Sequence, residues 1–305
     1  MKLESTSGPI QPSAPGAWRI GVAAIRPRTL SLAITPVVLG SAIAWADGHP
    51  VRLGAFVAAL VCALLIQVGT NLHNDVSDFQ RGNDGASRIG PLRVTAAGWV
   101  QPATMVRASI ACFVLALLLG VYLVDVGGWP ILVAGLASLA AGYGYSGGPR
   151  PISHSAWGEL FVLVFFGLVA VAGSHWLQAG VPSLDALLGG TALGLPAAGV
   201  LLVNNYRDLE DDLASGRRTL VARLGRARSR AVYGVLMLLP YAVVFALVAR
   251  GRTGALLALL MMPLLVVLTV RLGARPPGPW LNSHLAATAK ASALLGLLLA
   301  AGVLL

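Results

Sequence analysis

Charge is scarce in this sequence: only 11% of its 305 residues are charged, where a soluble globular chain carries about 25%. With 56% hydrophobic residues and a mean hydropathy of +0.77, that scarcity excludes an ordinary soluble domain. Cysteine is nearly absent as well. Cys62 and Cys112 lie inside apolar runs with no His or Cys at ligand spacing, which argues against a disulfide framework, a zinc site or cysteine redox chemistry. Residues 1–18, rich in Ser, Pro and Gly, lack a compact apolar core followed by a small-residue cleavage site. They read as a flexible tail, not a cleaved signal peptide. Acidic residues are few, 12 against 22 basic. In so apolar a chain, the excess of +10 reads as the positive-inside bias of a membrane protein and not as a nucleic-acid surface.

What is abundant is long apolar runs, bounded by Pro, Gly and charge, each near the roughly 20 residues that cross a bilayer. They predict nine helices, near 29–46, 52–73, 104–125, 129–147, 157–179, 185–205, 229–249, 253–273 and 284–305. The expected fold is thus all-α and polytopic, with residues 19–305 forming one transmembrane domain. If the tail lies in the cytoplasm, 18 Lys and Arg fall on that side and only Arg52, Arg250 and Arg252 on the other, with Lys290 inside the last helix. This split predicts a cytoplasmic N-terminus and loops and a C-terminus on the opposite side; the expected location is a bacterial inner membrane.

The carboxylates are not evenly spread. Residues 71–84 and 204–212 together hold seven of the 12: Asp75, Asp78, Asp84, Asp208, Glu210, Asp211 and Asp212. Both segments end apolar helices, where an unpaired carboxylate is costly and by default functional. Positions 71, 75 and 78 share one helical face, as do 204, 208 and 211, or 205, 208 and 212. A shift of 133 residues superimposes Asn71, Asp75 and Asp78 on Asn204, Asp208 and Asp211, with Gly82 and Gly216 one residue out of register. Two such acidic faces set against each other would repel unless cations lay between them. All-oxygen donors with room for water suit Mg²⁺, which typically bridges carboxylates to a substrate's phosphates. Asp75, Asp78, Asp208 and Asp212 are the principal candidates, with Asp84 and Asp211 as further metal ligands.

Basic residues follow each acidic face: Arg88 and Arg93 after the first, Arg217, Arg218 and Arg223 after the second. Beside bound cations, guanidinium forks at Arg88, Arg93, Arg217 and Arg223 would neutralise a diphosphate as it departs. The competing reading is that arginines here are topological anchors, Arg226, Arg228 and Arg230 above all. Asn71, Tyr145 and Arg150 lie near the expected cytoplasmic mouth and are candidates for placing an acceptor molecule; His73 reads as a bystander. A secondary cation transporter would also bury carboxylates, but near the membrane midplane on broken helices. A CDP-alcohol phosphotransferase is suggested by Asp84-Gly85-x-x-Arg88, but the flanking aspartates it needs are missing.

The string Asn74-Asp75-x-x-Asp78-x-x-x-Gly82-x-Asp84, then Arg88-x-Gly90-Pro91-x-Arg93, with Asn204-Asn205-x-Arg207-Asp208-x-x-x-Asp212-x-x-x-Gly216-Arg217, resembles the UbiA superfamily of intramembrane aromatic prenyltransferases. Arg26-Pro27-Arg28-Thr29-Leu30, Tyr145-Ser146-Gly147-Gly148-Pro149-Arg150-Pro151, Gly158-Glu159-Leu160 and Leu285-x-x-Thr288-Ala289 agree with it, so the likeness runs from about residue 20 to the C-terminus. The resemblance implies nine helices and Mg²⁺-dependent transfer of a polyprenyl group from its diphosphate to an aromatic acid in the bilayer. The Gly-Gly-Pro and Gly-Pro-x-Arg signatures favour the branch that prenylates 1,4-dihydroxy-2-naphthoate with loss of its carboxylate, in menaquinone synthesis. Gly82, where the 4-hydroxybenzoate branch commonly carries Asp, speaks against 4-hydroxybenzoate; homogentisate is the other alternative acceptor.

Overall fold

The computed structural model describes residues 15–82, 89–91 and 93–305. Most of the tail, Asp84 and Arg88 lie outside the described residues. Among the described residues twelve α-helices follow in order: α1 (Ala17–Ile25), α2 (Pro27–Ala46), α3 (Leu53–Gln80), α4 (Pro102–Gly127), α5 (Trp129–Ser146), α6 (Gly158–Val162), α7 (Ala170–Ala179), α8 (Leu184–Arg207), α9 (Leu209–Ala214), α10 (Leu220–Ala249), α11 (Met262–Ala274) and α12 (Trp280–Gly302). A π-helical stretch, Leu163–Val169, welds α6 to α7, and a 3-10 stretch, Thr253–Met261, runs into α11.

Among the described residues, eight helices are long and apolar enough to cross a membrane. The ninth expected span exists as α5 but is not one of the eight. It has only 18 residues, and Trp129, Tyr143, Tyr145 and five Gly or Ser dilute its apolar stretch. The sequence did not announce α1, which starts inside the expected tail and stops at Arg26. That residue sits at φ 57°, the only non-glycine among the described residues with positive φ. Left-handed backbone costs an ordinary side chain about 1–2 kcal/mol, and Pro27, favoured at a helix start, then opens α2.

The helices pack around α8. In its most apolar stretch 78% of residues are buried, against 11% in α4, which faces outward along much of its length. A central helix in lipid is held by close approach rather than by exclusion of water, and α8 is accordingly rich in Gly and Ala. A Cβ added at Gly190 or Gly194 would come within 2.9 Å of Gly167 O or 2.8 Å of Leu163 O. This seam brings α6 and the π-helical stretch flush against α8. The buried core joins α2, α8, α10 and α12 through Leu39, Ile43, Leu193, Tyr206, Tyr233, Met237 and Leu295.

Both acidic segments end in glycine with left-handed backbone, Gly82 (φ 69°) after α3 and Gly216 (φ 75°) after α9, the usual helix stop. The pseudo-repeat is therefore structural as well as sequential. It is also imperfect. α3 runs unbroken through Asp75 and Asp78, whereas helix breaks at Asp208 (φ −93°, ψ 12°) and resumes as α9. The break rotates the second acidic face.

Candidate functional site

The C-terminal end of α3 and the α8–α9 junction meet across one cavity of about 380 Å³. Its mouth is lined by Arg26, Asn71, Asn74, Asp78, Arg93, Asn204, Asn205, Asp208, Asp211, Asp212 and Arg217. Its depth, between α2, α3, α5 and the α6–α7 helix, is lined by Val37, Ala59, Ile66, Ile131, Phe165 and Leu177 among other apolar groups. One end therefore suits anions and cations and the other hydrocarbon.

Arg217 joins the two acidic ends. Its Nη2 pairs with Asp78 on α3 and its Nη1 lies 3.4 Å from Asp212 Oδ1 on α9. Arg93 approaches Asp78 from the other side and donates from Nη1 to Asn74 Oδ1 at 2.6 Å. Asn74 Oδ1 also accepts from Arg26 Nη1 (3.3 Å), while its Nδ2 donates to Ser146 Oγ (2.7 Å). Asp208 is gripped by Arg207, which donates from Nε and Nη2 at 2.7 Å each, and from Nη2 to Asn204 and Nη1 to Asn282. Asn282 Nδ2 in turn donates to Ile89 O, tying α12 to the segment that precedes Arg93.

Burial works against ionisation of Asp212. Only Arg217 pulls strongly the other way and Asp208 adds repulsion, so its pKa is pushed up to about 7. His154 experiences the reverse: burial, then the nearby Arg217 and Arg81 cations, bring its pKa down to about 4, so its imidazole is neutral at physiological pH. Its backbone carbonyl accepts from Arg218 N at 3.0 Å.

Most of the candidates converge. Asp78, Asp208, Asp211, Asp212, Arg93, Arg217, Asn71 and Tyr145 all line the cavity. Asp75 does not: it is buried beneath the mouth, where Oδ1 accepts from Thr95 N (3.1 Å) and Arg26 lies 3.9 Å away. Arg150 and Arg223, expected to hold acceptor and diphosphate, are exposed and line no part of it. The turn after α5 points Arg150 outward, and Arg223 falls on the outer side of the first turn of α10. Arg226 and Arg230 staple α10 to the end of α8, donating to Tyr206 O (2.8 Å) and Tyr206 Oη (2.9 Å), with Arg226 4.8 Å from the Tyr206 ring centroid. His73 stacks on Tyr143 at 4.8 Å and does not line the cavity.

Four contributors escaped the sequence reading. Arg26 and Asn74 stood in quoted motifs without a role, and only the fold shows that they share the Asp78 neighbourhood. Arg207 had the signal of an arginine beside an aspartate. Arg81, the residue that caps the C-terminal end of α3, donates to Ser146 O (2.5 Å) and Gly148 O (2.9 Å), so the Ser146-Gly147-Gly148 turn is clamped to α3 and keeps Tyr145 in the cavity wall.

Among the described residues, no three His, Cys, Asp or Glu side chains converge as a ready metal cage. The donor set nonetheless fits a hard divalent cation. Asp78 and Asp212 come from opposite helix ends to one guanidinium, and Mg²⁺ commonly needs only one or two carboxylates beside water and substrate phosphate.

A helical bundle with a charged mouth leading into a hydrocarbon-lined depth defines an integral membrane protein that handles an amphiphile carrying an anionic head. The chain belongs to the UbiA prenyltransferase family, which it matches over residues 33–279, and it is a prenyltransferase enzyme. It is 38% identical over 258 residues, 82% of each chain, to the 1,4-dihydroxy-2-naphthoate octaprenyltransferase of Escherichia coli strain K12. It is 35% identical over 227 residues, 74% of this chain and 77% of the other, to the protein of that name from Mycobacterium tuberculosis. Among solved structures, a UbiA homolog from Archaeoglobus fulgidus bound to GPP and Mg²⁺ has the same fold at 16% identity, with a TM-score of 0.63 over 93% of this chain and 99% of that one. A UbiA homolog from Aeropyrum pernix K1 gives 0.63 over 91% and 97%.

Proposed function

We propose that this enzyme transfers a polyprenyl group from polyprenyl diphosphate to 1,4-dihydroxy-2-naphthoate, with loss of the carboxylate, as a step of menaquinone synthesis in a bacterial inner membrane. The observation that carries this reading is the cavity whose mouth gathers two acidic helix ends and their arginines and whose depth is hydrocarbon. The relatives named as naphthoate octaprenyltransferases, at 38% and 35% identity, support the acceptor. The distribution of Arg and Lys supports a mouth that opens to the cytoplasm, with the C-terminus on the other side.

Asp78, Asp208, Asp211 and Asp212 would hold Mg²⁺; when bound, the cation supplies charge neutralisation of the departing diphosphate. Arg93 and Arg217, already turned toward the carboxylates, take the diphosphate oxygens and strengthen their grip as negative charge grows. Asp75, accepting from the Thr95 amide, holds the segment that presents Arg93. The apolar walls keep water from the allylic carbon as its C–O bond breaks. The ring carbon that bears the carboxylate attacks that carbon, diphosphate leaves with the C–O electron pair, and CO₂ departs, returning its pair to the ring. Starting from the carboxylate, this balance closes without a protein base.

The test is reconstitution in bilayer nanodiscs with Mg²⁺, a polyprenyl diphosphate and one acceptor at a time: 1,4-dihydroxy-2-naphthoate, 4-hydroxybenzoate or homogentisate. Prenylated naphthalenediol with stoichiometric CO₂ and diphosphate is expected. Turnover only with 4-hydroxybenzoate, its carboxylate retained, would refute the assignment.

A further inference from the structure

Glu159 is a costly residue for a membrane helix to carry. It is 5% exposed on α6, and its Oε1 accepts from Asn205 Nδ2 at 2.9 Å. Its Oε2 is buried with no hydrogen-bond partner among the described residues. Neither the diphosphate clamp nor the candidate metal ligands use it. Asn205, by contrast, lines the cavity. An amide that gives its NH₂ to a carboxylate must turn its carbonyl oxygen elsewhere, and among the described residues no protein donor reaches Asn205 Oδ1.

An amide oxygen can only accept. Of the reactants, the diphosphate and the acceptor's carboxylate are themselves acceptors and the prenyl chain is neither donor nor acceptor. Only a phenolic hydroxyl can donate to it. The surroundings suit a flat ring: Phe161, two residues after Glu159, lies 5.2 Å from Phe165 between ring centroids, and both line the cavity with Tyr145. The Gly167, Gly190 and Gly194 seam sets the α6 to α8 distance that lets Glu159 reach Asn205.

We propose that Asn205 Oδ1 accepts a hydrogen bond from a hydroxyl of the aromatic acceptor, and that Glu159 is the positioning residue that holds the Asn205 amide in that orientation. The inference rests on the prenyltransferase reading above. Its consequence is selectivity: fixing one hydroxyl fixes which ring carbon faces the allylic carbon.

The test measures steady-state kinetics in nanodiscs with 1,4-dihydroxy-2-naphthoate and its two monomethyl ethers. For Glu159→Leu, the acceptor KM should rise about tenfold, the worth of one hydrogen bond of this kind, while the KM for polyprenyl diphosphate and the Mg²⁺ half-saturation stay put. Glu159→Gln, which can still accept from Asn205, should restore the acceptor KM. Wild type should disfavour one of the two ethers by a similar factor, and Glu159→Leu should lose that discrimination. If Glu159→Leu fails to fold, Asn205→Asp replaces it: facing carboxylates should raise the acceptor KM, and adding Glu159→Gln should lower it again. A shift in Mg²⁺ half-saturation would make Asn205 a metal ligand and overturn the proposal, as would equal loss for both substrates or no recovery in the double variant. Wild type inert toward every aromatic acceptor would overturn the functional reading too; an active wild type with an unresponsive Glu159→Leu overturns this inference alone.

Discussion

Arg217 carries the most direct test of how the two acidic ends are held together. Its side chain is 15% exposed, and the carboxylates it joins, Asp78 and Asp212, are 2% and 5% exposed, so solvent screens these contacts little. A lysine has a single ammonium and cannot reach both partners with a planar fork. Arg217→Lys therefore loses one charge-assisted hydrogen bond, about 1.5–3 kcal/mol, or roughly a 10- to 150-fold fall in kcat/KM for polyprenyl diphosphate. Arg217→Gln removes the cation and leaves two buried carboxylates facing each other, a loss of about 3–5 kcal/mol by analogy with broken buried pairs. That loss should lower the thermal unfolding midpoint of purified protein in chelator, and added Mg²⁺ should recover part of it, because a cation can replace the guanidinium between the carboxylates. Arg228→Lys, on the exposed side of α10, is the control. If Arg217→Gln melts like wild type in chelator and turns over normally, the bridging role is wrong.

Four further outcomes follow from the geometry. Asp78→Asn should reduce turnover by several orders of magnitude without unfolding the protein, and chelation should abolish wild-type activity reversibly; full activity in EDTA refutes the metal assignment. Because burial raises the Asp212 pKa to about 7, the folded protein holds a proton there that the unfolded chain releases at lower pH. This group's contribution to metal-free stability should thus decline as pH rises from the ordinary carboxylate range toward 7, while Mg²⁺ affinity increases over the same window; Asp212→Asn should flatten both trends in a melting and titration series. Arg26→Gly should relieve about 1–2 kcal/mol of left-handed backbone strain, keeping or raising the melting point while activity falls. Gly194→Ala should destabilise the fold by about 1–3 kcal/mol, since its Cβ would press on the Leu163 carbonyl, and an unchanged melting point would refute the close seam.

The spans were legible because apolar runs of membrane length tolerate few interruptions, and even the π-helical stretch left the run at 157–179 recognisable. α1 was not legible: nine residues, with Trp18 exposed and only Ala24 buried, carry too little periodicity to separate a short helix from a tail. The acidic segments gave the site its location but not its orientation. Helical spacing allowed either 204, 208 and 211 or 205, 208 and 212 as a face, and nothing local decides between them. The fold uses both: Asn204, Asn205, Asp208, Asp211 and Asp212 all line the cavity around the break at Asp208, with Asp212 buried against Arg217 and Thr219. Arginines were the hardest to sort, because the positive-inside bias and anion binding ask for the same residue on the same side of the membrane. Burial separates them here: Arg93, Arg207 and Arg217 are turned inward onto carboxylates, while Arg150 and Arg223 point out. Such a distinction depends on long-range pairing, Asp78 with Arg217 across 139 residues of chain, and so belongs to the fold and not to any motif.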